Sequence, residues 1–357
     1  MNIIRETLDK IIPANTKVIE GAREKWDGLI KPIGSLGKLE EIGIKLSGIT
    51  GKLSNAIDKK AIVVMCSDNG VVDEGVSAAP QFFTKVLAEN MSKGITGVAT
   101  LGKFTNTDII PVDLGVIGEI RDPRVIKRKI SHGTKNFTKG PAMTYSEAIK
   151  SIEIGIEIGD DLYEKGYDIL GTGEVGIGNT TTSAAVLSVL ANLDVAITCG
   201  KGAGLTEEQY LNKKDVIIKG IAINKPNKED PIDVISKVGG YDIGAMCGLF
   251  LSAAKNQMPI VADGFISTVA ALCATRLNPL VKEYIIASHL SAEPGAVQVM
   301  EELGLSPMLD LDMRLGEGSG CPLAFQIIEA ALYTFENMGT FEKVDLSSET
   351  LIDIRKE

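Results

Sequence analysis

Histidine is nearly absent from this chain. His132 and His289 are the only two in 357 residues, too few for a histidine-built metal centre. The five cysteines, Cys66, Cys199, Cys247, Cys273 and Cys321, are scattered, odd in number and without C-x-x-C spacing. They read as reduced, mostly buried thiols of a cytosolic protein, not as a disulfide framework. Lysine and arginine form no stripe, and the net charge of −10 turns the chain away from nucleic acid. No apolar run reaches membrane-spanning length, because Asp263 interrupts the best one, residues 258–274. The first thirteen residues are amphipathic but too short and too charged for an export signal or anchor. These absences leave a soluble, cytoplasmic protein, with 44% hydrophobic residues to build one large domain or two modest ones.

What is present alternates. Short apolar runs at 61–66, 108–112, 167–170, 195–198, 259–262 and 284–287 are expected to be strands. Stretches of helical period at 82–101, 145–165, 180–192 and 266–277 lie between most of them. Continuous apolar strands alternating with helices predict an α/β fold: a Rossmann-like, mainly parallel sheet with helices on both faces. Polar loops follow the strands at 67–70, 171–178, 200–204, 263–264 and 288–295, and such loops share a ligand crevice at the carboxyl ends of the strands. The two ends of the chain read as helical, with no convincing strand in 1–55 and an apolar helix over 320–338. Residues 1–55 with 320–357 are therefore expected to form a small helical subdomain on a large α/β domain of residues 56–319.

Three glycine-rich segments carry the chemistry. Residues 167–187, YDILGTGEVGIGNTTTSAAVL, read as strand, loop and helix, which offers backbone N–H groups and a positive helix end to a phosphate. Asn179 stands where a P-loop needs its lysine. Residues 171–176 fit G-x-G-x-x-G, yet a dinucleotide site needs an acid at the end of the next strand. That strand is expected at 195–198, and its acid, Asp194, precedes it. The second segment, Gly200-Lys201-Gly202-Ala203-Gly204, leads to a threonine-capped helix start at Thr206, with Lys201 and Lys213 as anion partners. The third is Arg314-Leu315-Gly316-Glu317-Gly318-Ser319-Gly320. Glu317 between glycines is either a helix-end acid or a general base whose pKa is raised by burial. Residues 288–295 mix hydroxyls, an acid and a turn, but no serine sits on a nucleophile elbow. His289 reads there as a hydrogen-bonded structural residue.

With these residues placed, the chain resembles the nicotinate-nucleotide–dimethylbenzimidazole phosphoribosyltransferase family over roughly residues 23–335. The segments that carry the resemblance are KPIGSLGKLE at 31–40, GTKN at 133–136, GPAM at 140–143, GEVGIGNTT at 173–181, SAEPG at 291–295 and RLGEGSG at 314–320. The resemblance implies transfer of the phosphoribosyl group of nicotinate mononucleotide to 5,6-dimethylbenzimidazole or a related base. The products would be nicotinate and α-ribazole 5′-phosphate, for the nucleotide loop of cobalamin. It implies a homodimer with no metal and no cofactor. Glu317 falls on the family's catalytic carboxylate, with Glu174 and Lys213 in support. Gly176, Gly178, Asn179, Thr180, Gly202, Gly204, Ser291, Glu293 and Gly295 fall on phosphate- and nucleotide-binding segments. Ser77, Pro80, Gln81 and Leu315 are assigned to the base pocket. Three departures bear on the accepted base: Asn69 where the family commonly has histidine, Ala79 where tyrosine is common, and Phe82-Phe83 in place of an acid and valine. The rival readings are an NAD-type oxidoreductase on the 171–176 fingerprint and a non-catalytic nucleotide-binding regulator.

Overall fold

The longest apolar runs become the centre of a six-stranded, all-parallel sheet in the computed structural model, which describes residues 2–202, 204–345 and 353–356. The strands are β1 (Lys60–Ser67), β2 (Asp108–Gly115), β3 (Ile126–Lys127), β4 (Ile169–Val175), β5 (Ile260–Ala262) and β6 (Ile285–Ala287), in the order β3-β2-β1-β4-β5-β6. Every residue of β1 and β4 is buried, as expected of strands covered on both faces. The chain moves outward from β1 to β3, then returns to β4 on the other side of β1. Successive connections therefore diverge between β1 and β4, and a crevice opens at the carboxyl ends of those strands.

Two layers of helix cover the sheet. Helices Tyr145–Glu164, Asn179–Leu190, Tyr241–Lys255 and Phe265–Leu277 bury their apolar residues on one face. The first and third approach so closely that a Cβ at Gly155 would lie 1.9 Å from the Ala245 carbonyl oxygen, so glycine is required at that crossing. Helices Lys38–Thr50, Phe83–Met91, Gly97–Phe104 and Gly320–Asn337 cover the opposite face. The two ends of the chain meet where Trp26 packs on Phe335, their rings 5.1 Å apart. A buried Lys31–Glu40 ion pair of 2.7 Å lies nearby. The terminal segments are not confined to that cluster: Ile4 and Ile11 join the first face, and Ala324, Phe325 and Ile328 pack directly on the sheet. Residues 346–352, part of the expected helical subdomain, and Ala203 of the second glycine loop lie outside the described residues.

Three local expectations are corrected. Residues 195–198 form a single helical turn, Val195–Thr198, because Asp194 accepts a hydrogen bond from the Ala196 N–H at 2.8 Å. Four apolar residues carry too little periodicity to distinguish such a turn from a strand. The stretch 82–101 is two helices, Phe83–Met91 and Gly97–Phe104, separated at Gly94, whose φ is +75°. That break aims a new helix N-terminus at the crevice. Finally, β4 runs on through Val175, so Gly171 and Gly173 are strand residues and not loop residues.

Candidate active site

The loop after residue 315 is shaped by backbone conformation. Gly316, Glu317 and Gly318 have φ of +80°, +63° and +87°, a left-handed run that glycine tolerates and glutamate adopts at a cost. The loop lies directly on β4, since a Cβ at Gly173 would fall 2.4 Å from the Glu317 carbonyl oxygen. Asp263, at the carboxyl end of β5, holds the loop from below by accepting from the Gly318 N–H at 3.2 Å and the Gly320 N–H at 2.7 Å. The Glu317 side chain is buried and its Oε2 accepts from the Val98 N–H at 3.0 Å, at the start of helix Gly97–Phe104. Burial raises its pKa, against the opposing pull of the Val98 and Gly97 N–H groups and the Thr96 hydroxyl. The result is a buried carboxyl that the helix end still favours as an anion.

Glu174, the penultimate residue of β4, lies beside it and behaves differently. It is buried, accepts from the Asn179 side-chain amide, and has Asp242, Asp263 and Glu317 as neighbouring acids. Burial, then those like charges, raise its pKa well above the ordinary carboxylate range. That shift favours the neutral acid and so lessens repulsion of an anionic ligand. Burial likewise lifts both Asp242 and Asp263 to about 7.

One end of the cleft suits an anion. Gly178, with φ of +90°, precedes helix Asn179–Leu190, whose N-terminal residues Asn179 and Thr180 line the cavity alongside Gly202. Lys213 lies beneath this end, fully buried, donating to Thr180 Oγ1 at 2.9 Å and to the Gly200 carbonyl at 3.0 Å. Lys201 and Arg314 also line the cavity and add positive charge. The other end is apolar, formed by Val76, Ala78, Ala79, Phe83, Leu87 and Leu315 with the Ser77 hydroxyl. The cavity measures about 260 Å³.

The structure therefore gathers Glu317, Glu174, Gly176, Gly178, Asn179, Thr180, Gly202, Ser291, Glu293, Ser77 and Leu315 around one cleft. Lys213 acts from below it. The remaining four candidates do not line it. Gly204 borders an adjoining cavity with Lys201 and Arg314. Gly295 is packed against the Phe265 ring, which a Cβ there would meet at 2.7 Å. Gln81 turns back to donate to the Asn69 carbonyl at 3.3 Å, and neighbouring Pro80 is outside the lining. Gly176 is present for packing, as a Cβ would lie 2.1 Å from the Ser67 carbonyl oxygen. Asn69 donates to the Ile177 carbonyl at 3.3 Å and so supports the glycine loop from behind.

Among the lining residues outside the expected set are Asp263 and His289, both able to exchange a proton. Asp263 had a signal, being the acid that interrupts the 258–274 apolar run. Its position also settles the dinucleotide reading. The strand expected at 195–198 does not exist, so the next strand in the sheet is β5, and its terminal acid is Asp263. That carboxylate is occupied by two loop N–H groups, and the first two glycines of the fingerprint lie inside β4. A ribose-binding acid after a glycine turn is not formed. Among the described residues no cluster of three or more His, Cys, Asp or Glu is arranged to hold a metal ion, and no helix is long and apolar enough to cross a membrane.

Comparison with known proteins gives a consistent result. A family model described as phosphoribosyltransferase matches residues 11–345. A nicotinate-nucleotide–dimethylbenzimidazole phosphoribosyltransferase of Clostridium tetani is 55% identical over 100% of this chain and 99% of its own. One from Clostridium perfringens is 53% identical over 99% of this chain and 98% of its own. Among solved structures, CobT from Thermus thermophilus superposes with a TM-score of 0.89 at 36% identity, covering 93% of this chain and 99% of that one.

Proposed function

Because the chain belongs to the nicotinate-nucleotide–dimethylbenzimidazole phosphoribosyltransferase family, we propose that it moves the phosphoribosyl group of nicotinate mononucleotide to a benzimidazole base, with Glu317 as general base. The observation that carries this reading is a buried Glu317 between an anion-binding end and an apolar end of one cleft. A phosphate seated at the Asn179 helix end orients the donor, and a flat base fits among Phe83, Leu87 and Leu315. Displacement at the anomeric carbon passes through an oxocarbenium-like state and inverts configuration. One ring nitrogen of the base attacks with its lone pair while the other must release its proton. Glu317 accepts that proton and, as an anion, favours the developing positive charge. Nicotinate leaves from a pyridinium nitrogen that is already cationic, so no acid is required to expel it. The raised pKa of Glu174 disfavours a second negative charge facing the phosphate, and Lys213 fixes the Thr180 hydroxyl and the Gly200 carbonyl that frame it.

Placing α-ribazole 5′-phosphate in the nucleotide loop of cobalamin follows from the same reading. So do a homodimer in the cytoplasm and the absence of any metal or cofactor requirement. Purified protein mixed with nicotinate mononucleotide and dimethylbenzimidazole should release nicotinate and form an α-configured ribotide in equal amounts. Light scattering on the same preparation should return twice the 38.0 kDa chain mass. A binding protein would give neither product, and a mass of one chain would remove the dimer. Repeating the assay with unsubstituted benzimidazole, adenine and a phenol ranks the bases that the Ala79 and Phe83 pocket accepts.

A further inference from the structure

His289 is the one histidine in the cleft lining, and its two ring nitrogens have different surroundings. Nδ1 lies 3.0 Å from Ser288 Oγ and 3.6 Å from Asp263 Oδ1. Ser288 has a single hydroxyl proton, and it is donated to the Asp263 backbone carbonyl at 2.5 Å. Ser288 Oγ can then only accept from the ring, so Nδ1 carries the hydrogen. Burial lowers the pKa of the imidazole and keeps it neutral. Nε2 is left as a bare acceptor.

No described residue donates to Nε2. It lies beside Gly264, where a Cβ would be 3.1 Å away and Ser291 Cβ 3.5 Å from the same point. Glycine there keeps the approach open. The Ser291 hydroxyl accepts from the Glu293 N–H at 3.4 Å, which leaves its own proton to give. An acceptor and a donor thus stand side by side in the wall of the cleft. A purely structural histidine at 2% exposure would have both nitrogens satisfied within the protein.

We propose that His289 Nε2 accepts a hydrogen bond from a ribose hydroxyl of the phosphoribosyl donor, making His289 a sugar-specificity residue, with the adjacent Ser291 hydroxyl donating to the neighbouring sugar oxygen. A cis-diol matches that pairing of acceptor and donor, whereas a deoxyribose leaves one partner unpaired. The inference rests on the phosphoribosyl-transfer reading, because the ribose is that of its donor.

The test compares nicotinate mononucleotide with its 2′-deoxy and 3′-deoxy analogues as donors to dimethylbenzimidazole. Wild-type kcat/KM should fall about 10- to 100-fold for one of the two analogues. His289→Asn retains a donor toward Ser288 and lacks Nε2, so its kcat/KM should be nearly the same for the ribo donor and that analogue. His289→Gln, which places an acceptor near the Nε2 position, should restore most of the preference. Wild-type protein that uses both deoxy donors as well as the ribo donor overturns the proposal without any variant, as does His289→Asn with full discrimination. Absence of ribotide from wild-type protein with the ribo donor would instead defeat the transferase reading, and this inference with it.

Discussion

Glu317→Gln should lower kcat by about 10²- to 10⁴-fold, the range of a lost general base, while nicotinate mononucleotide binding stays within about threefold of wild type. The amide has nearly the size of the carboxyl and can keep the Val98 N–H bond through its oxygen. The loop conformation is set by Gly316, Gly318 and Asp263, none of which is changed. What disappears is the ability to accept the proton and the negative charge facing the sugar. Because the carboxyl is buried with a raised pKa, its removal should not weaken the fold. Stopped or coupled assays give kcat, and calorimetric titration of nicotinate mononucleotide gives affinity. A variant with near wild-type turnover would take the base role away from Glu317.

Gly173→Ala should disable the enzyme without touching a reacting group. A methyl there would lie 2.4 Å from the Glu317 carbonyl oxygen, 2.7 Å from its carbonyl carbon and 2.8 Å from the Gly318 nitrogen. All three are backbone atoms, so no rotamer change relieves the contact. Either β4 shifts within a fully buried sheet or the Glu317 loop lifts off it. Overpacking of this kind costs about 1–3 kcal/mol of stability. A carboxylate displaced by about 1 Å costs on the order of 10²-fold in rate. Urea unfolding and kcat measured together should show both losses. Activity within about threefold of wild type would mean that the loop tolerates displacement and that its seating on β4 is not what positions Glu317.

Much of this architecture was legible because the strands are covered on both faces. The run 61–66 is apolar throughout and became β1, and 108–112, apolar after Asp108, became part of β2. Residues 195–198 are equally apolar and became a helical turn, because a local Asp194 cap decides the matter in so short a segment. β3, with two residues, has no pattern to detect. Glu317 was legible as a candidate from its flanking glycines, and the structure supplies their physical reason in three successive left-handed residues. The raised pKa of Glu174 was hidden, since it comes from burial and from Asp242, Asp263 and Glu317 converging from distant segments. His289 was hidden for a related reason: its tautomer follows from a hydroxyl proton committed to a residue 25 positions away.

The most direct test of a proton-accepting Glu317 is the ratio of wild-type to Glu317→Gln kcat/KM across pH. Ionisation of the base and of the phosphate affects both proteins and cancels in the ratio. Burial raises the Glu317 pKa, so the carboxylate is lost as pH falls through that raised value and is fully available above it. The ratio should therefore climb with pH through a single ionisation above the ordinary carboxylate range and then level off. A ratio that stays flat across that range would contradict proton transfer to Glu317.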